Sequence, residues 1–140
     1  MREILFRGKN DNDEWVYGWL GHLHCRNPYT KQISSIYFTE ISNDFKSRLN
    51  TLVDYKTVGQ FTGLIDKNGK KIFEGDIVKV IDDILGSPFC YGITGKVVYC
   101  ESAFFVEPKD VMNTEYLFNE CAVYEVIGNI HDNPELLENP

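Results

Sequence analysis

Three histidines and four cysteines set the range of side-chain chemistry open to this 140-residue chain. His22, His24 and Cys25 form the tightest group, in the run HLHC. On an extended strand His22 and His24 project to one side and Cys25 to the other, so two imidazoles can share an ion that the thiol does not reach. A structural zinc site takes four ligands, commonly as two spaced pairs, and no C-x2-C pair accompanies this run. Nucleophilic catalysis needs a nucleophile, a base and an orienting group in contact. His131 beside Asp132 is the base-like pair of the second half, but the chain has no G-x-S-x-G elbow and no cysteine-protease signature. Paired carboxylates of the kind that cleave glycosidic bonds are available at Asp82-Asp83, at Glu74 and Asp76, and at Glu101. Glu74-Gly75-Asp76 reads instead as a turn whose acids bond local amides, and Asp82-Asp83 as the solvated end of a strand. Gly59, Gly63 and Gly69 are spaced too widely to cradle a phosphate. The expectation is a non-enzyme with no catalytic residue, no metal and no cofactor.

Stacking is the other chemistry on offer. Trp15, Tyr17 and Trp19 recur at every second residue and so share one face of a strand. With Tyr37, and Phe38 beside it, they can form a binding surface for a protein or for single-stranded nucleic acid. The same rings also suit the core of the N-terminal half, which has few other large apolar side chains. Total charge weighs against nucleic acid. The chain carries a net −7, and residues 61–140 hold fourteen Asp/Glu against six Lys/Arg. Residues 1–60 hold eight Lys/Arg and seven Asp/Glu, alternating as on a solvated surface.

These residues must be positioned mainly by strands. Hydrophobic residues make up 43% and aromatic residues 14%, enough for a core and suited to packing across strands. Short strands are expected at Ile4–Phe6, Trp15–Leu23 and Ile33–Thr39, then a helix at Ser42–Val53. Ser42 serves as its cap, and Phe45, Leu49 and Leu52 form its apolar stripe. Further strands are expected at Thr57–Thr62, Leu64–Asp66, Ile77–Ile81, Ile93–Tyr99, Ala103–Glu107 and Ala122–Ile130. Asn68-Gly69 matches a two-residue type I′ hairpin, in which both central residues take positive φ. Glu101-Ser102 closes a second tight hairpin. Asn133 and Pro134 open a one-turn helix over Pro134–Glu138, with Asn133 as its cap. The four cysteines are expected to be free thiols, three of them core-like within apolar stretches. No window approaches ~18 consecutive apolar residues, and MREILFRGKN lacks the features of a signal peptide. A cytoplasmic protein with no membrane contact is expected.

Several stretches resemble the YopX family. They are Met1–Gly8 (MREILFRG), Glu14–Gly18 (EWVYG), Val58–Leu64 (VGQFTGL), Asp66–Val78 (DKNGKKIFEGDIV) and Tyr124–Leu137 (YEVIGNIHDNPELL). The resemblance runs end to end, with no landmark in Cys25–Asn50 or Asp82–Gly92. It implies origin in a bacteriophage or in a prophage of a Gram-positive bacterium, and a small β-rich fold. It carries over no catalytic or ligand residue.

The expected fold is therefore mainly β, a β-rich α+β chain. A strand-and-helix subdomain at 1–56 precedes a small SH3-like barrel at 57–140, and the two form one compact unit. The expected function is an accessory protein that binds host or phage proteins and can self-associate. A nucleic-acid-binding barrel is the alternative.

Overall fold

The computed structural model describes residues 3–25, 34–40, 49–83, 92–109, 115–117 and 122–138. Among the described residues ten strands follow in order: β1 (Phe6–Lys9), β2 (Trp15–Cys25), β3 (Ser34–Glu40), β4 (Leu49–Ile65), β5 (Lys71–Phe73), β6 (Asp76–Asp83), β7 (Thr94–Cys100), β8 (Ala103–Pro108), β9 (Glu115–Tyr116) and β10 (Ala122–Asn129). A 3₁₀ turn, Pro134–Leu137, ends the described chain. The fold is mainly β, with every strand pairing antiparallel wherever its register is known. Two compact units divide the chain, Met1–Phe61 and Thr62–Pro140.

In the first unit β1 is flanked by β2 on one side and β4 on the other, while β3 pairs with both β2 and the start of β4. The β1–β2 connection is shaped by Asn10, whose Oδ1 accepts hydrogen bonds from the N–H groups of Asn12 and Glu14. An Asn side chain that bonds amides two and four residues on replaces the backbone pairing a turn gives up. Val16 and Val53 are buried together, with Phe6 and Val58 packed against them.

The second unit is built on an open sheet of order β10-β6-β7-β8-β9. Its core gathers Ile72, Val78, Val80, Val97, Phe104, Val106, Leu117 and Tyr124. Thr62 is buried in the same unit because its hydroxyl has a partner, donating to the carbonyl of Ile72. At Glu74-Gly75-Asp76 the expected local bonding is found: Asp76 Oδ2 accepts from Phe73 N–H at 2.8 Å, and Gly75 takes φ +84°.

Several expectations are corrected. The C-terminal barrel is an open sheet, with β10 and β9 at its edges and not paired with each other among the described residues. No α-helix occurs among the described residues. Of the expected helix, Ser42–Arg48 lies outside the described residues, and Leu49–Val53 begins β4. There Val53 pairs with Ile36 and Leu52 with Tyr37. Long-range pairing and the β-branched run Thr51, Val53 and Thr57 outweigh a helical spacing that rested on three apolar residues. β4 also runs unbroken through Gly63, which takes φ +93° within the strand.

The Asn68-Gly69 turn is longer than two residues. Gly69 N–H bonds the Asp66 carbonyl, Asp66 N–H bonds the Lys70 carbonyl, and of the pair Gly69 alone has positive φ. The type I′ geometry sits instead at Glu101-Ser102, with φ of 47° and 68°, where Cys100 and Ala103 pair directly. Cys100, beside that turn, is exposed rather than core-like. Asn133 precedes the 3₁₀ turn but makes no side-chain cap bond. Its Oδ1 faces Gly128, where an added Cβ would come within 2.7 Å. Among the described residues, no helix is long and apolar enough to cross a membrane.

Two non-glycine residues in the left-handed region each cost roughly 1–2 kcal/mol. Replacing Glu101 by Asn and Ser102 by Gly should raise the unfolding free energy by ~1–2 kcal/mol. Urea denaturation of the double variant checks this, and an unchanged midpoint would contradict the turn geometry.

Candidate binding surface

The surface begins with the alternation along β2. Val16 points inward to Val53, so Trp15, Tyr17 and Trp19 face outward. Tyr17 is 46% exposed and Trp19 55%; Leu20, of the opposite parity, is exposed as well. Core packing of these rings, the other reading their sequence allows, is not what the structure shows for Tyr17 and Trp19.

β1 supplies the residues next to this row. Its register sets Arg7 opposite Tyr17 and Lys9 opposite Trp15. The Arg7 guanidinium lies 4.5 Å from the Trp15 ring centroid and the Lys9 ammonium 5.4 Å from it. Both distances suit a cation–π contact, which gains strength when the cation is shielded from water. Arg7 and Lys9 are indeed buried, at 4% and 7% exposure. Lys9 is held further: its ammonium pairs with Asp13 at 2.8 Å and its backbone N–H donates to Thr57 Oγ1. Thr57 in turn donates to the Asp54 carbonyl. Trp15 is thus a fixed lid over two cations, while Tyr17 and Trp19 extend the same face into solvent.

The far end of the face is set by pairing with β3. Trp19 pairs with Thr39 and Leu20 with Phe38, and the register then shifts before Leu23. Tyr37, the fourth residue of the expected surface, pairs with Leu52 in the β3–β4 ladder, and Leu52 is exposed. The Tyr37 side chain lies outside the described residues. Arg7 and Lys9, expected with the other basic residues of 1–60 on a solvated surface, are instead buried beside the Trp15 ring. The signal for this was the shared parity of the two residues on a strand joined to Trp15 by a short polar loop.

The remaining chemistry-bearing residues stay apart. His22, His24 and Cys25 lie on the last residues of β2, and their side chains are outside the described residues. Among the described residues no three His, Cys, Asp or Glu side chains could hold an ion together. Asp82 and Asp83 end β6. In the second unit a cleft of about 350 Å³ is lined by Lys96, Glu107, Pro108, Lys109, Pro134, Leu137 and Glu138. Lys96 and Glu107 pair with each other across its wall at 2.8 Å.

Exposed and lid positions should respond differently to truncation. Tyr17→Ala and Trp19→Ala should each shift stability by no more than ~0.5 kcal/mol. Trp15→Ala should cost about 2 kcal/mol, because it uncovers two buried cations. Thermal melts of the three variants check the contrast, and equal losses at all three positions would contradict it.

The model of the YopX protein family matches residues 5–138. Among solved structures the chain is similar to protein EF1440 from Enterococcus faecalis, at 25% sequence identity and a TM-score of 0.52, over 98% of this chain and 99% of that one. No curated protein matches. Because the family pattern runs through nearly all of both units, the chain belongs to the YopX family.

Proposed function

We propose that this is a non-enzymatic accessory protein of phage or prophage origin that binds a host or phage protein through the outer face of β2. The observation that carries this is the pair Tyr17 and Trp19, held half in solvent on a strand whose opposite side buries Val16 against Val53. Large aromatic rings at the surface are expensive to leave wet, and Trp, Tyr and Arg are the residues that dominate binding energy at protein interfaces. Trp15 over Arg7 gives the row a rigid base, so little side-chain freedom is lost on docking. In this reading the β6–β7–β8 meander is an SH3-like scaffold, and the protein works in the cytoplasm.

Single-stranded nucleic acid is the second reading, favoured by an arginine beside three stackable rings. Against it, Arg7 and Lys9 lie beneath Trp15, and Lys9 is already paired with Asp13, so neither is presented to a phosphate.

One comparison separates the readings. Wild type and the Tyr17→Ala/Trp19→Ala variant are immobilised and exposed to host lysate, and both are titrated with a single-stranded oligonucleotide at low salt. A protein retained by wild type and lost by the variant supports the first reading. Oligonucleotide binding that weakens with salt and with the substitutions supports the second. Identical retention on both proteins, with no oligonucleotide bound, would remove the β2 face from either role.

A further inference from the structure

Asn68 is the one asparagine of this chain that glycine follows. That pairing is the one most open to deamidation, because glycine has no side chain to screen its backbone nitrogen. The step is intramolecular, with both reacting groups already side by side. The Gly69 nitrogen, its proton passed to hydroxide, attacks the carbonyl carbon of the Asn68 carboxamide. A C–N bond forms there, the bond to the side-chain nitrogen breaks, and that nitrogen leaves as ammonia. Water then opens the resulting cyclic imide at either carbonyl. One opening leaves aspartate. The other leaves isoaspartate, in which the main chain runs through the former side chain.

The structure leaves this site accessible and holds it still. Asn68 and Gly69 are exposed, and nothing lies within 4 Å of the position a Gly69 Cβ would take. The nucleophile, however, is engaged: Gly69 N–H donates to the Asp66 carbonyl at 3.0 Å. The amides on either side of it, those of Asn68 and Lys70, both donate to Asp66 Oδ1, at 2.8 and 2.9 Å. Attack requires the Gly69 nitrogen to leave its acceptor and turn toward the Asn68 side chain, and the three bonds to Asp66 oppose that turn. Asp66 is itself fixed, being buried and bonded by Val126 N–H. At other turns Asn10 and Asn129 commit their carboxamide nitrogens to Glu14 and Asp132. We propose that Asn68 is the deamidation site of this protein, and that Asp66 is the positioning residue that sets its rate, slow while the turn is closed and fast once it opens. Conversion has a structural consequence. Isoaspartate at position 68 adds a carbon to the main chain before Gly69, so Asp66 Oδ1 no longer spans the amides of residues 68 and 70. The bond to Val126, made by the same carboxylate, is weakened with it. The chemistry needs only water and stands independently of the role proposed for the β2 face.

The test keeps wild type and Asp66→Ala, each folded and each in urea, in warm, mildly alkaline buffer. Peptide mapping by mass spectrometry reads the amide-to-acid conversion at every asparagine. In urea both proteins should convert first at residue 68, at similar rates, because no turn is left to restrain it. Folded wild type should convert there at least ~tenfold more slowly, since reaction waits on local opening, and folded Asp66→Ala should regain most of the unrestrained rate. Where circular dichroism shows Asp66→Ala to be unfolded, Asp66→Asn, which keeps the side-chain shape, takes its place with the same direction expected. Equal rates at residue 68 in folded and unfolded wild type would overturn the proposal. So would first conversion at another asparagine in urea, or a folded Asp66 variant that reacts no faster than wild type. Loss of native structure in both variants would also overturn it, because Asp66 would then hold the whole unit rather than set a local rate.

Discussion

Asp66 is a buried carboxylate that accepts three backbone hydrogen bonds. Its Oδ1 takes the N–H groups of Asn68 and Lys70 at 2.8 and 2.9 Å, and its Oδ2 takes that of Val126 at 3.1 Å. Burial alone would raise its pKa. The hydrogen bonds from Val126, Lys70 and Asn68, with the Lys70 charge nearby, more than offset this and leave the pKa below its ordinary value. Hydrogen bonds to a charged group are stronger than neutral ones, and here they outweigh the cost of burying the carboxylate, so the charged form of this side chain stabilises the folded unit. The same carboxylate shapes the turn between β4 and β5 and fixes that turn against a strand sixty positions away.

Much of the second unit follows from this tie. With the turn fixed on β10, β5 presents Ile72 to the core beside Val78 and Val97. β10 in turn leads into the Gly128–Asn133 corner. There Asn129 Oδ1 accepts from the N–H groups of His131 and Asp132, and Ile130 N–H reaches back to the Gly75 carbonyl. The segments that carry the YopX resemblance in this half, Asp66–Val78 and Tyr124–Leu137, are thus the two that touch. Their shared features are scaffold: a turn, an edge and a glycine corner. That explains why they identify a family without identifying a chemistry. The β2 face is made of different material: the Trp15 ring over two buried cations, with Tyr17 and Trp19 exposed along the same strand.

What was legible in the sequence was mostly local. Glu74-Gly75-Asp76 was readable as a self-bonding turn because Asp76 and its partner Phe73 are three residues apart. Glu101-Ser102 was readable because alternating apolar runs lie close on both sides. The alternation of Trp15, Tyr17 and Trp19 put the three on one face, but it could not say which face is wet. Val16, Gly18 and Leu20 opposite them are equally apolar, and the choice is made by Val53, a distant partner. Distance also hid the true start of β4, where Leu49–Val53 forms a ladder with β3 that no local spacing reveals. At Asp66 the sequence showed a turn, but the longer loop and the bond to Val126 depend on where β10 lies.

The most direct measurement of the Asp66 tie is the unfolding free energy of wild type minus that of Asp66→Asn, followed from neutral pH into acid. A carboxylate whose pKa is depressed in the folded state contributes stability that is fully present above its unfolded value near 3.8 and is lost as the pH falls through the folded value. The difference should therefore be flat near neutrality and should shrink below pH 3.8. A difference that stays constant into acid, or that is absent at neutral pH, would contradict the charge-assisted tie on which the second unit is built.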